Sequence, residues 1–288
     1  MSAFDIVTIQ PPDYPHWRAF DEVRESIGFG LEQLGHTVTS RVNQLAQGVP
    51  AVLFGANLLS PEQIRSLPQS VIIYNLEQVD AGSPWFSADR FSALASRQVF
   101  WDYSRRNLDN WAEAGIERGV HVPIGYAPIL TRIDAGKRDD IDVLFYGSLN
   151  PRRQVVLDQL KQAGLNVHEL FGRYGAERDK MIAQAKLVLN VHFYPTSILE
   201  VVRISYLLAN RVAVLSEREP HTEVETDLED ACAWAPYAEL TALAGRLVRD
   251  HAARRQLGDS GFDAIRRRSV VEILDQALDR TRAAEERR

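Results

Sequence analysis

The chain has 288 residues, of which 45% are hydrophobic and 25% are charged, and its net charge is −6. This composition is typical of a globular protein with a hydrophobic core, and the acidic balance argues against binding nucleic acid through a broad basic surface. Cys232 is the single cysteine, so an internal disulfide and a cysteine-based zinc site are both excluded.

The sequence begins with MSAFDIV, which has neither the basic nor the apolar segment of a signal peptide. No uncharged apolar run approaches the roughly 20 residues that a transmembrane helix needs. We therefore expect a cytoplasmic protein without a transmembrane segment.

Short β-rich runs alternate with helical patterns through the first half of the chain. Gly35 fits the position just after the C-terminus of the first helix. Strands are predicted at 5–10, 51–54, 71–74, 99–103 and 121–124, and helices at 20–34, 61–67, 87–96 and 105–114. Strands that alternate with helices predict βαβ units and a parallel sheet.

The same pattern restarts after a polar stretch, DAGKRDD, at 134–140. Strands are predicted at 141–147, 166–171, 186–193, 211–216 and 231–235, and helices at 152–163, 176–185, 197–209, 237–256 and 259–285. The sequence therefore predicts an α/β protein with two doubly wound, Rossmann-like domains. Their ranges are 1–126 and 141–270, joined by a linker at 127–140 and followed by a C-terminal helix, 271–288, that packs back on the first domain or, alternatively, frays. Ligands bind at the carboxyl ends of such strands, so the cleft between the domains is the expected site.

The stretch IDVLFYGSLNPRR, 141–153, reads as a strand, a loop and the start of a helix. Gly147 permits a close approach of the backbone, and Asn150 can cap a helix that begins with Pro151. A helix N-terminus attracts phosphate, and Arg152 or Arg153 would add a charge-assisted contact. The alternative is a solvated first turn with two surface arginines. No glycine fingerprint of a dinucleotide fold and no P-loop pattern is present.

The second stretch, 189–217, holds a strand, the loop HFYPTS and a helix that Thr196 or Ser197 can cap. Glu200 and Arg203 are spaced i,i+3 and therefore share one face of the helix. Glu200 is placed to accept hydrogen bonds from the vicinal hydroxyls of a ribose. Arg203 is placed to meet a diphosphate or, alternatively, to pair with Glu200.

Two further features lie at predicted strand ends of the second half. His192 is a catalytic group, a sugar contact or a structural histidine. Phe171, Gly172 and Tyr174 alternate aromatic rings with glycine, a pattern that frames a planar base or forms an ordinary turn.

Polar residues at strand ends of the first half supply the candidate acid and base groups, which are Asp13, His16, Glu77 and Asp102. The alternative for each of the four is a capping or loop hydrogen bond. No two of them have a spacing that demands a metal ion.

Seven segments between Ile72 and Glu217 carry a resemblance to a known family. In order they are IIYNLEQ, WDYS, PIGY, DVLFYGSLN-x-RR, LFG-x-YG-x-ERD, VLN-x-HFY and E-x-x-RISYLLAN. The ordered set resembles the soluble bacterial glycosyltransferases of the GT-B fold, in the broad group 1 set. It covers half of the chain and both predicted domains.

The resemblance implies that two Rossmann-like domains face each other, that the second holds a nucleotide-sugar donor, with a UDP-sugar as the predicted one, and that the acceptor enters from the first. It implies that Gly147 and the Arg152–Arg153 turn approach the donor diphosphate, with Arg203 near the phosphates, Glu200 at the ribose and the loop from Phe171 to Tyr174 at the base. The complete predicted donor-binding set is Gly147, Ser148, Asn150, Arg152, Arg153, Phe171, Gly172, Tyr174, Tyr194, Ser197, Glu200 and Arg203. The catalytic candidates are Asp13, His16, Glu77, Asp102 and His192.

The expected activity is transfer of a hexose to a hydroxyl of a glycan, a protein or a small molecule, with no cofactor and no metal required. Two glutamates separated by seven intervening residues are frequent in this family, and their best-aligned positions here hold Ser197 and Ser205. The alternative is therefore an inactive nucleotide-sugar-binding protein or partner subunit on the same fold. A nucleotide-sugar epimerase is disfavoured, because the glycine fingerprint and a Tyr-x-x-x-Lys pair are missing.

Overall fold

The structure is a computed structural model that describes residues 2–79, 87–97, 99–134, 140–193 and 198–286. The chain divides into two compact units. Unit 1 comprises Met1–Ala127 with Ser269–Arg288, and unit 2 comprises Pro128–Arg268. Each unit is built on one parallel β-sheet whose strands alternate with helices, so the predicted α/β class is confirmed.

The elements of unit 1 follow in chain order. They are β1 (Ala3–Thr8), α1 (Asp21–Gln33), β2 (Thr37–Val42), β3 (Ala51–Phe54), α2 (Pro61–Ser66), β4 (Val71–Asn75), α3 (Ala88–Ala95), β5 (Phe100–Asp102), α4 (Arg105–Glu113) and β6 (Gly119–His121). The strand order in the sheet is β2-β1-β3-β4-β5-β6, and every pairing is parallel.

The elements of unit 2 continue the chain, and one last helix belongs to unit 1. They are β7 (Ile141–Tyr146), α5 (Pro151–Gln162), β8 (Val167–Leu170), α6 (Ala176–Gln184), β9 (Ala185–Asn190), α7 (Val201–Ala209), β10 (Val214–Glu217), β11 (Ala233–Ala235), α8 (Leu240–Arg249), α9 (His251–Ile265) and α10 (Val270–Glu286). The sheet of unit 2 has the order β11-β10-β9-β7-β8, again all parallel.

Strand β3 lies at the centre of the core of unit 1. Its four residues, AVLF, are all buried, because β3 is paired on both sides and covered on both faces. A continuous apolar run of this kind is what the sequence pattern recognises. Strand β2 was missed by the sequence analysis for the opposite reason. It is an edge strand with mostly exposed side chains, and so it carries no apolar signal.

Helix α10 completes the core of unit 1 from the far end of the sequence. It packs on α1 at Gly30, where an added Cβ would lie 2.5 Å from Cδ1 of Leu274. The indole of the fully buried Trp101 donates a hydrogen bond of 2.9 Å to Oγ1 of Thr281. The absence of a side chain at Gly30 therefore permits the close helix packing.

In unit 2 the chain before β7 is held by α7. The side-chain oxygen of Asn210 accepts hydrogen bonds from the N–H groups of Arg132 and Ile133, at 2.8 and 2.7 Å. Its amide nitrogen donates to the carbonyl of Leu130. Residues 128–134, which the sequence analysis assigned to the linker, are thus ordered against this helix, and 135–139 lie outside the described residues.

Three predicted helices differ from the structure by more than one residue at an end. The helix predicted from residue 197 begins at Val201, and both proposed capping residues lie outside the described residues. Two helices were predicted between 237 and 285, and the structure has three. The first break arises because the Asp250 side chain accepts the N–H of Ala253, so that α9 begins at His251. A further break separates α9 from α10.

Candidate functional site

The loop after β7 brings the backbone of unit 2 close to an arginine side chain. Gly147 has φ +136°, a conformation that L side chains rarely adopt. A Cβ added there would lie 2.7 Å from Nη2 of Arg203. The backbone conformation therefore favours glycine, and a side chain at this position would displace the neighbouring guanidinium.

Asn150 caps α5 as the sequence predicts. Its side-chain oxygen accepts the N–H of Arg153 at 2.9 Å, and Pro151 occupies the first helical position. Its amide nitrogen also donates to the carbonyl of Phe193, at 2.8 Å. Asn150 thus ties the start of α5 to the segment that follows β9.

Arg152 pairs with a carboxylate that the sequence analysis did not select. Its two terminal nitrogens bind both oxygens of Glu217 at the end of β10, with 2.6 Å between Nη1 and Oε2. Glu217 is 1% exposed and also accepts the N–H of His192. The guanidinium of Arg152 lies over the ring of Tyr237, 4.1 Å from its centroid. The carboxylate and the ring therefore hold Arg152 in place.

Arg153 is buried, so the alternative of two solvated surface arginines is wrong. Its side chain donates to the carbonyls of Val191 and Ser148, at 2.9 and 2.7 Å, and lies 3.4 Å from Oε1 of Glu200. Burial and the nearby charge of Arg203 lower the pKa of Arg153 to about 10. Arg153 links three segments of unit 2.

Glu200 occupies the N-cap position of α7 and binds groups from other elements. Its Oε2 accepts from Nδ2 of Asn190 at 2.8 Å and lies 3.0 Å from Nδ1 of His192, while Oε1 faces Arg153. Burial raises the pKa of Glu200, but the hydrogen bond and charge of His192 and the two nearby arginines outweigh it and lower the pKa to about 2. Glu200 is therefore ionised in the folded protein.

Arg203 is the arginine of this region that no carboxylate engages among the described residues. Its hydrogen bond there runs from Nη1 to Oδ1 of Asn190, at 3.1 Å. Its guanidinium lies 5.3 Å from the ring centroid of Tyr146 and against Gly147. The intrahelical pair with Glu200, which the i,i+3 spacing suggested, does not form as a hydrogen bond.

We call Arg152, Arg153, Arg203, Glu200 and Glu217 the arginine cluster. It contains three cations and two carboxylates, and each carboxylate accepts from a different arginine. The remaining positive charge is that of Arg203, beside the loop at Gly147 and the N-terminus of α5. A helix N-terminus and a guanidinium that forms no salt bridge both favour an anion.

The remaining predicted donor residues lie on the same edge of the sheet or outside the described residues. Ser148 is exposed in the loop after β7. Phe171 is 56% exposed after β8, next to Gly172 with φ +65°, and Tyr174 is half-buried. Strands β7 and β8 are neighbours, so these loops emerge side by side. Tyr194 and Ser197 lie outside the described residues.

His192 is buried beneath the cluster. Besides its contact with Glu200, its Nε2 lies 3.4 Å from Oγ1 of Thr222. Both ring nitrogens therefore face protein groups, and the imidazole orients Glu200 in this structure.

The acid and base candidates of unit 1 have different surroundings. Asp13 is exposed in a turn, and the half-buried His16 has its ring 5.3 Å from that of Tyr14. Asp102 is fully buried and accepts four N–H hydrogen bonds, between 2.7 and 3.0 Å, from Asn75, Ser104, Asn107 and Trp111. Glu77 is half-buried after β4.

Glu217 and Asn190 are the site residues that sequence reasoning missed. Both close a strand, β10 and β9, with a polar side chain after an apolar run. The same signal selected the candidates of unit 1. Applied to SE at 216–217 and LN at 189–190, it would have found these two residues as well.

Two absences hold for the described part of the chain. No group of three or more His, Cys, Asp or Glu side chains in those ranges is arranged to hold a metal ion. None of the helices there combines the length and the apolar character that crossing a membrane requires.

No protein-family model matches the chain. Two curated relatives are uncharacterized proteins of Acanthamoeba polyphaga mimivirus. One is 33% identical over 96 residues, 32% of this chain and 31% of the relative, and the other is 30% identical over 138 residues, 46% of each. The chain thus spans less than half of the length of these relatives. They are viral and do not support the bacterial part of the resemblance.

The chain is similar in fold to solved glycosyltransferases over almost its whole length. An α-glucosyltransferase in complex with UDP has a TM-score of 0.69 at 9% identity, covering 98% of this chain and 100% of that one. HepE of Anabaena in complex with UDP and glucose has a TM-score of 0.63 at 15% identity, covering 95% and 98%. AviGT4, a glycosyltransferase involved in avilamycin A biosynthesis, has a TM-score of 0.62 at 13% identity, covering 98% and 97%.

These similarities identify the fold as that of the GT-B glycosyltransferases. Another structure of the α-glucosyltransferase contains UDP and a 13-mer DNA. The expectation that this chain binds no nucleic acid therefore stays a prediction.

Proposed function

We propose that the chain is a glycosyltransferase that moves a hexose from a nucleotide diphosphate sugar, a UDP-sugar in particular, to a hydroxyl-bearing acceptor. The observation that carries the proposal is the guanidinium of Arg203, which lies against Gly147 beside the N-terminus of α5 and forms no salt bridge among the described residues. Support also comes from UDP in similarly folded glycosyltransferases.

In this proposal the donor diphosphate lies against Gly147. A glycine at φ +136° lets an anion approach the backbone, and Arg203 then neutralises part of its charge. During transfer the bond between the anomeric carbon and the diphosphate oxygen breaks, a bond to the acceptor oxygen forms, and the acceptor hydroxyl gives its proton to a base. Negative charge grows on the leaving diphosphate. A positive group fixed at that point favours the transition state over the ground state. No metal ion is part of the proposal.

Arg152 and Arg153 act indirectly in this scheme. Glu217 engages Arg152, and Arg153 is 2% exposed, so both stabilise the loop rather than reach the phosphates. They hold the end of β10 and the side chain of Glu200 in position relative to α5. This differs from the family resemblance, which implied that the pair itself approaches the diphosphate.

Glu200 is the proposed ribose contact. An ionised carboxylate offers about four acceptor positions, and Arg153, Asn190 and His192 take three of them. The side chain is 15% exposed, which leaves access for one ribose hydroxyl. The exposed ring of Phe171, at the end of the neighbouring strand, is the proposed contact of the base.

Replacing Arg203 tests the proposal directly. Arg203→Ala is expected to weaken UDP binding by about ten- to a hundredfold, since a charge-assisted hydrogen bond is worth about 1.5–3 kcal/mol. Arg255→Ala, an exposed position on α9 of the same unit, is the matched control and should bind UDP like the wild type. The measurement is titration calorimetry with UDP, followed by turnover of a panel of UDP-sugars.

The outcomes separate the two functions under consideration. Equal UDP affinity in the two variants removes the role of Arg203. Tight UDP binding without hydrolysis or transfer of any sugar in the panel indicates a binding protein instead of an enzyme. Preference for another nucleoside diphosphate overturns the assignment of the base.

A further inference from the structure

Glu77 of unit 1 has a half-buried side-chain carboxylate that accepts no hydrogen bond from the described residues. Across the described ranges its hydrogen bonds involve only its backbone groups, and no N–H or O–H donates to its side-chain oxygens. Partial burial of a carboxylate without donors is unfavourable, because part of its hydration is lost and no described protein group replaces it. Such a group is retained where a ligand supplies the missing hydrogen bonds.

The backbone of Glu77 is fixed by two symmetric bridges. The amide nitrogens of Asn75 and Asn107 each donate to the carbonyl of Glu77, both at 2.9 Å. The same nitrogens donate to the two oxygens of Asp102, at 2.7 and 2.9 Å. The buried Asp102 thus fixes the backbone position of Glu77 through the side chains of Asn75 and Asn107.

Side-chain hydrogen bonds also hold the backbone beyond Glu77. Oδ1 of Asn107 accepts the N–H of Val79 at 2.8 Å, and the side chain of Asn110 donates to the carbonyl of Val79 at 2.6 Å. The segment from Asn75 to Val79 is therefore held from both ends. A rigid backbone that carries an unsatisfied side chain is the arrangement expected of a binding group.

The charge state of Glu77 matches a neutral ligand. Burial raises the pKa of Glu77 to about 7. Burial and the charge of Glu77 also raise the pKa of Tyr14, which follows β1, so this phenol lies near the carboxyl group. A group that is half-protonated at neutral pH both accepts and donates hydrogen bonds. This suits a hydroxyl better than a phosphate, which a carboxylate repels.

We infer that Glu77 is the carboxyl group of unit 1 that binds a sugar hydroxyl of the acceptor, and that Asp102 positions it through Asn75 and Asn107. The inference rests on the proposed function and names the acceptor class as a sugar. It also separates two residues that the sequence analysis treated alike. Glu77 contacts the ligand, whereas Asp102 acts through its neighbours.

The test follows the carboxyl carbon of Glu77 by NMR in the full-length chain saturated with UDP. Chains labelled in the glutamate carboxyl groups are titrated with pH, alone and with glucose, mannose, galactose or N-acetylglucosamine, and Glu77→Gln assigns the signal. At least one sugar is expected to shift the signal and to lower its pKa from about 7, because hydroxyl donors favour the ionised form.

Matched variants give the second readout. Glu77→Gln should weaken binding of that sugar tenfold or more, leave UDP affinity unchanged and raise the free energy of unfolding at pH 8. Glu117→Gln makes the same chemical change at an exposed position of unit 1 and should bind like the wild type. Asn75→Ala removes one of the two bridges and should weaken binding of the sugar without weakening binding of UDP. A purely structural role of Asn75 would not produce this selective loss.

Clear results overturn the inference. It fails if none of the four sugars moves the Glu77 signal, or if Glu77→Gln binds the sugar as the wild type does. Failure of the wild type to bind UDP in calorimetry contradicts the proposed donor site instead, and the sugar titration then stands alone.

Discussion

A methyl group at position 147 tests the proposed contact between backbone and guanidinium. Gly147→Ala places a side chain on a backbone with φ +136°, and the new Cβ lies 2.7 Å from Nη2 of Arg203. The backbone strain is worth about 1–3 kcal/mol. The guanidinium is the far end of a flexible side chain, so it moves away at little additional cost in stability. It then leaves Asn190, its hydrogen-bond partner at 3.1 Å.

The two consequences appear in different measurements. The free energy of unfolding should fall by about 1–3 kcal/mol. UDP affinity should fall separately by about ten- to a hundredfold, because displacing Arg203 removes a charge-assisted contact of about 1.5–3 kcal/mol. Chemical denaturation gives the first quantity and titration calorimetry with UDP gives the second.

Gly164→Ala is the matched control. Gly164 follows α5, has φ +82° and has nothing within 4 Å of an added Cβ. It should lose a similar amount of stability and keep its UDP affinity. If both variants bind UDP equally well, the arrangement of Gly147 and Arg203 does not form the diphosphate site.

Two further predictions concern the arginine cluster. Glu217→Ala removes the buried carboxylate that binds the half-buried Arg152. It should lower the free energy of unfolding by about 1–3 kcal/mol, between the values for exposed and buried ion pairs, and no measurable loss in denaturation would contradict the pairing. Glu200 has a pKa of about 2 in the folded chain and an ordinary value of 4.5, so its stabilisation is complete above pH 4.5 and is lost as the pH falls towards 2. Glu200→Gln should therefore reduce, by about 3 kcal/mol, the loss in free energy of unfolding between pH 4.5 and pH 2. An unchanged loss in that pH range would contradict this prediction.

Much of the fold followed from apolar runs in the sequence. Strands such as β3 and β7 are buried on both faces, so nearly every residue in them is apolar and their bounds were predicted to within a residue. Edge strand β2 has no such pattern, because most of its side chains meet solvent. The break at Asp250 was missed because the capping hydrogen bond depends on a single polar residue within a helical pattern.

The site was predictable only in part. A cap such as Asn150 is local and could be read from five residues. The partner of Glu200 could not be predicted from the sequence. The spacing pointed to Arg203, three residues away, whereas the fold brings Arg153 from 47 residues away. The partner of Arg152 is 65 residues distant. Charges separated this far along the chain are paired by strand order, which the sequence does not state.

The return of α10 to unit 1 has a consequence for synthesis on the ribosome. The N-terminal part of unit 1 emerges first, all of unit 2 follows, and α10 is made only afterwards. Unit 2 can fold as one continuous stretch while the α1 surface around Gly30 and the indole of Trp101 still await Leu274 and Thr281. The nascent chain therefore carries an apolar face for the time it takes to translate about half of the protein, and chaperones act on such exposed surfaces.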